Sequence, residues 1–157
     1  MQAKSTPGLS SCLSLWLMPL TKLLPPKHAA QQFNQTVTWG REYLQTSSRI
    51  LAVLLLTTTI LTSQLPDPSE AENWKTWAFC IGILLPVAPY EIKFIFWIND
   101  RIEEMGTKWE KGADISTEEK IELRDLLDLW KRRNWGRVII PLTTGVVGLL
   151  GLVTRNK

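Results

Sequence analysis

The sequence predicts an all-α fold, a small integral membrane four-helix bundle with an extra amphipathic helix between the last two spans. Three observations predict it. Apolar residues, 45% of the 157, are gathered into blocks, and the charged 21% fall in the segments between them, so segregation rather than composition sets the class. The run at 48–65, uncharged from Ile50 onward, and the run at 76–98 have the length of a spanning helix, roughly 17–25 residues. Ser116-x-x-Glu119 then opens a charged amphipathic stretch ahead of a last apolar run, as a capping box opens a helix. Residues 1–157 are expected to form a single membrane domain.

Each element carries its own signal. Residues 1–8 are polar and expected to fray. A short apolar run at 9–24, broken by Pro19 and closed by Lys22, reads as a truncated first span, with a re-entrant segment or a signal-peptide core as alternatives. No small-x-small site occurs between it and Lys27, which weighs against a cleaved signal. Pro25-Pro26 opens a connector, and Ala29 to Leu44 reads as an amphipathic helix with Phe33, Val37 and Tyr43 on one side and Trp39 and Tyr43 suited to an interfacial belt. The second span, 48–65, stops at Pro66 and Pro68, and an acidic linker carries Asp67, Glu70 and Glu72. Trp74, Trp77 and Trp97 flank the third span, 76–98, as interface anchors, and Pro86 and Pro89 should kink it. Residues 99–112 read as a charged loop. The amphipathic helix at 117–134 starts with acids and ends with Lys131, Arg132 and Arg133, which complements its macrodipole. The fourth span, 137–153, holds Pro141 and the small residues Gly145, Gly148 and Gly151, which permit close helix packing.

Several function classes are excluded by inventory. A net charge of +3, with its cations interleaved among acids, does not mark a nucleic-acid partner. Cys12 and Cys80 sit inside apolar runs and are expected to be small buried hydrophobes. A single histidine, His28, rules out HExxH zinc sites and two-histidine iron sites. No Gly-rich phosphate loop, GxSxG or CxxC occurs. His28 itself, beside prolines and a lysine, reads as a solvated loop residue rather than a base. Chemistry is left to carboxylates, Tyr, Trp, Asn, Arg and that histidine.

With four spans, one side of the membrane carries thirteen lysines and arginines, four of them between 22 and 49 and nine between 99 and 137, against Lys4, Lys75, Arg155 and Lys157 on the other. The positive-inside rule then makes the first and third loops cytoplasmic, in a membrane expected to be the endoplasmic reticulum. The sequon Asn34-Gln35-Thr36 should therefore carry no glycan.

Polar groups converge at the cytoplasmic end. Tyr90, Lys93, Trp97 and Arg101 share one face of the third span, Glu91, Ile98 and Asn99 an adjacent one, and Trp130, Asn134 and Arg137 form a stripe entering the fourth. Trp39, Trp97, Lys131, Arg132 and Arg133 also read as ordinary interfacial anchors, Asn99 and Asn134 as caps and Arg137 as a snorkelling side chain. Glu91 is different. A carboxylate about two turns inside a span costs about 2.5–3.5 kcal/mol unless a partner, protonation or water relieves it. An ion pair with Arg49 or Arg137 is the structural alternative to a catalytic role.

The order of Trp39-Gly40 and Tyr43, a Thr/Leu-rich span, Pro89-Tyr90-Glu91, Asn99-Asp100-Arg101 and Leu127-x-x-Trp130-x-x-x-Asn134-x-x-Arg137 running into Pro141-Leu142 resembles the DUF1772 family, which includes the anthrone oxygenases of fungal secondary metabolism. The resemblance covers about Leu20 to Leu152, and the segment from Trp130 to Pro141 is its most specific part. The first span is shorter here than the family's usual leading helix. The resemblance implies an oxygenase that takes an anthrone to an anthraquinone without metal or flavin, using O₂ alone as co-substrate. It assigns no residue roles. From their chemistry, Glu91 is the candidate base, Tyr90, Asn99, Asn134 and Arg137 the candidate donors to an enolate oxygen, and Trp97, Trp130 and Arg101 the candidate substrate contacts. The expected partners are an aromatic polyketide, the lipid bilayer and other enzymes of the pathway. Two other readings stay open: a non-oxidative cyclase or isomerase using the same groups, and a non-catalytic scaffold docking through the 117–134 helix.

Overall fold

The computed structural model describes residues 10–153, all of whose regular structure is helical. A short helix α1 (residues 10–21) contains a π turn, Leu13–Leu17, and the α-helical Met18–Thr21. Beyond it stand three long helical rods: α2 (Pro26–Ser63), α3 (Pro68–Glu110) and α4 (Thr117–Val153), each long and apolar enough to cross a membrane. Among the described residues α1 is not, so the expected count of four spans falls to three. The expectations for residues 1–8, and for Lys4, Arg155 and Lys157, lie outside the described residues.

Two sequence boundaries dissolve for physical reasons. The amphipathic segment and the second span are one 38-residue helix. Thr46, Ser47 and Ser48 turn their hydroxyls back onto the carbonyls of Glu42, Tyr43 and Leu44 at 2.6–2.8 Å, so the polar patch between them stays helical. His28 lies in the first turn of this helix, against Gln31, and not in a loop. Tyr43 is 65% exposed while Phe33 is fully buried, so those two do not share a face. Likewise the charged stretch 99–112 is helical through Glu110, because Ile98, Ile102, Met105 and Trp109 form a buried stripe at helical spacing. The real loop is 111–116, where Gly112 takes a left-handed φ of 88°.

Local signals set the other ends. Asp67 caps α3, accepting from the amide and the hydroxyl of Ser69 at 2.8 Å each, and those bonds hold its carboxyl below the usual range. The chain turns at 85–86, beside Pro86, before helical bonding resumes with the Tyr90 amide on the Pro86 carbonyl at 3.0 Å. Ser116 and Glu119 form the expected capping box at the start of α4. The helix Thr117–Asn134 is not a separate lateral element. It runs through a turn at Trp135 straight into Gly136–Val153.

The rods build two storeys. In the lower one α1, the first half of α2, the last third of α3 and the first half of α4 enclose the buried core, which includes Met18, Phe33, Met105, Trp109, Leu127 and Trp130. In the upper one, the remainders of α2, α3 and α4 leave Leu54, Phe79, Leu85, Leu142 and Leu149 more than half exposed, the arrangement hydrocarbon requires. Exposed Trp39, Tyr43, Trp97 and Trp135 ring the junction, and Trp74 stands at the far end. Tyr43 to Ser63 rises about 30 Å at 1.5 Å per residue, the thickness of a hydrocarbon core. This is an integral membrane architecture. The glycines of α4 serve it as expected at Gly151, where a Cβ would come within 2.5 Å of Thr76.

Buried Ser10, Ser14 and Thr21 face inward on α1, while Leu15, Trp16 and Leu20 face outward. Cys80 is buried against the Thr144 carbonyl, whereas Cys12, expected inside, is exposed.

Candidate active site

Glu91 ends the helical stretch Val87–Glu91, and a π turn, Ile92–Phe96, succeeds it directly. Such a turn holds an extra residue, so the downstream residues are rotated back relative to a straight α-helix. Asn99, expected on the Glu91 face, lies beyond this turn and shares a cavity wall with Arg137. Arg137 Nε lies 2.6 Å from Glu91 Oε1 in an ion pair, with the two side chains 17% and 15% exposed. Arg137 also walls a cavity of about 30 Å³ with Asn99, Trp130, Arg41, Gln45 and Phe96. Leu13 of α1 closes one side of it, so all four helices contribute.

Buried hydrogen bonds fix these side chains. Trp130 Nε1 donates to Asn99 Oδ1 at 2.9 Å, and Phe33 meets the Trp130 ring edge-on at 5.5 Å. The Tyr90 hydroxyl donates to the Arg133 carbonyl at 2.6 Å. Its ring lies over Gly136, where a Cβ would stand 2.5 Å from Tyr90 Cζ, so only glycine fits without moving the tyrosine. Arg133 donates to the Phe94 carbonyl at 2.8 Å, and its guanidinium lies 5.4 Å from the ring centres of Phe94 and Trp97. Expected as a membrane anchor, Arg133 instead ties α3 to α4.

The expected site residues therefore divide. Glu91, Asn99, Trp130 and Arg137 come together, with Tyr90 one turn away on the same helix pair. Asn134 points to α1, donating at 2.8 Å to the Ser10 carbonyl and to Ser14 Oγ. Arg101 lies on the outside of the lower storey, gripping Glu122 at 2.6 and 3.0 Å and Glu104 at 2.8 Å. Trp97 is 44% exposed at the rim. Of the two partners the sequence offered for Glu91, Arg49 and Arg137, the structure pairs it with Arg137, the structural alternative to a catalytic role. Thr36, Gly40 and Arg41 lie in the helix expected at 29–44 but carry no chemical pattern of their own, and Gln45 joins them at the cavity only because that helix continues past Leu44. Among the described residues, no group of three or more His, Cys, Asp or Glu side chains is placed to hold a metal ion.

A family model described as anthrone oxygenase matches residues 33–147. The chain belongs to the anthrone oxygenase family. This is the DUF1772 family whose motifs the sequence carries. The anthrone oxygenase match begins at Phe33, at the floor of the Trp130 packing, and ends within α4, so it contains every residue of the four-helix junction except Leu13. Helix α1 precedes it. Neither the curated proteins nor the solved structures yielded a match.

Proposed function

We propose that the chain is a cofactor-independent oxygenase that converts an anthrone-type polycyclic aromatic polyketide to the anthraquinone in secondary metabolism, with O₂ as co-substrate. The observation that carries this reading is the match of residues 33–147 to the anthrone oxygenase family, and within that match the Glu91–Arg137 pair, 2.6 Å apart where the apolar storey meets the polar one, supplies the candidate base and cation. An anthrone has an acidic C–H whose removal delocalises charge onto the carbonyl oxygen. Glu91 takes that proton, and Arg137 stabilises the enolate oxygen as the ion pair is exchanged for it. Asn99, held by Trp130, lines the same cavity as a further donor, while Tyr90 and Asn134 brace α3 and α1 against α4. Trp130, buried against Phe33, fixes Asn99 there rather than offering a face to the substrate. The electron-rich anion reduces O₂ directly. One oxygen atom becomes the new carbonyl, and the other leaves as water with the two hydrogens of the reacting carbon.

Anthrone itself, supplied to membranes containing the protein with O₂ uptake and product both monitored, tests the reading. A non-oxidative isomerisation would use the same proton-transfer pair, and turnover without O₂ separates the two.

Thirteen lysines and arginines lie in or beside the lower storey, so we place it on the cytoplasmic side of the endoplasmic reticulum, where it also meets other pathway enzymes. Asn34 packs there against Gly106, consistent with an unused sequon.

A further inference from the structure

The junction cavity of about 30 Å³ holds about one water, whereas sites for drug-sized ligands run to roughly 300–1,000 Å³. The ring system of a tricyclic substrate must therefore lie elsewhere. One turn toward the membrane interior, the same seam between α2, α3 and α4 opens into a groove of about 230 Å³ lined by Leu51, Leu55, Trp77, Pro141, Thr144 and Gly145. On α2 and α4 the two spaces follow one another along the same faces. Pro141 lies four residues beyond Arg137 on α4, and Leu51 seven beyond Leu44 of the cavity wall on α2, so each pair shares a face.

We infer that this groove binds the apolar rings of a planar polycyclic phenol entering sideways from the bilayer, with the oxygenated edge turned toward Arg137. The inference rests on the proposed substrate class and adds where that substrate sits and how it arrives. Three features fit a flat, partly hydroxylated guest. The Trp77 indole offers an aromatic wall. Gly145 leaves open space, since a Cβ there meets nothing within 4 Å. Pro141 has no N–H, so the Arg137 carbonyl loses its α-helical donor at the mouth of the groove and is left as an acceptor for a phenolic hydroxyl.

The test uses the full chain in phosphatidylcholine vesicles, with anthrone as substrate and anthraquinone as a quencher of tryptophan fluorescence. Gly145→Leu fills the groove where space exists, and Leu149→Trp fills it from Leu149, an exposed residue of its lining. Gly82→Leu, also in open space but outside the groove, is the control. Wild type and the control should show saturable quenching. Both filling variants should lose it and raise KM for anthrone at least tenfold, with kcat changed less than threefold. Saturable quenching and KM equal to wild type in both filling variants would overturn the groove while leaving the oxygenase intact. Quenching that is saturable and groove-dependent, without any turnover by the wild type, would keep the site and overturn the reaction. Purely linear quenching in the wild type means that only lipid occupies the groove, and it overturns the inference.

Discussion

Arg137 Nε and Glu91 Oε1 form an ion pair across 2.6 Å, and the same guanidinium walls the cavity that Asn99 and Trp130 share. One cation thus serves two sides, the resting carboxylate and the space beside it. If the pair acts as a unit, its members should be non-additive. Arg137→Ala should cost about 2–4 kcal/mol in kcat/KM, the range for losing one oxyanion donor. Glu91→Gln combined with Arg137→Ala should then cost little more than the worse single change, measured as anthrone turnover in membranes.

The Trp130–Asn99 bond is fully internal. Trp130→Phe leaves a buried amide oxygen without its donor, so it should destabilise the fold by about 1–3 kcal/mol. Asn99→Leu in that background should recover part of the loss, because both polar partners are then gone. Thermal unfolding in detergent, comparing the two variants, measures the difference.

Gly136→Ala places a methyl group where the Tyr90 ring lies. The tyrosine must swing away and give up its bond to the Arg133 carbonyl, at a cost of about 1–3 kcal/mol for overpacking. Tyr90→Ala in the same chain should relieve most of that penalty. A Gly136→Ala variant as stable as wild type would contradict the contact.

Asn134 holds α1 through Ser10 and Ser14, and Lys22 adds an ion pair to Asp128 at 2.6 Å. Asn134→Ala should therefore accelerate amide exchange in residues 10–21 while leaving 98–109 protected. Uniform acceleration would mean that Asn134 supports the whole lower storey.

Much of the fold was legible in the residues. The capping box at Ser116, the lipid-facing run at 48–65 and the convergence of Glu91, Asn99, Trp130 and Arg137 come from spacing and polarity. The continuity of α2 was hidden because Thr46, Ser47 and Ser48 look like a break, yet their hydroxyls satisfy their own helix. The 99–112 stretch looked like a loop because its charges outnumber the four buried residues that hold it. Helix α1 misled in the opposite sense: Leu15, Trp16 and Leu20 are apolar like a span, but the element is short and buries its serines. The π turn after Glu91 leaves no trace in hydrophobic period, and the choice between Arg49 and Arg137 as partner of Glu91 was settled only by the packing of α3 on α4.

Proton abstraction by Glu91, then direct reaction of the anion with O₂, is the central claim. Oxygen uptake and anthraquinone formation by membranes given anthrone, wild type beside Glu91→Gln at matched expression, test it most directly. One O₂ consumed per anthraquinone formed by the wild type, with a loss of at least about 10²-fold in the variant, the lower end for a general base, is the expected result. Wild-type oxygen uptake by Glu91→Gln would contradict it.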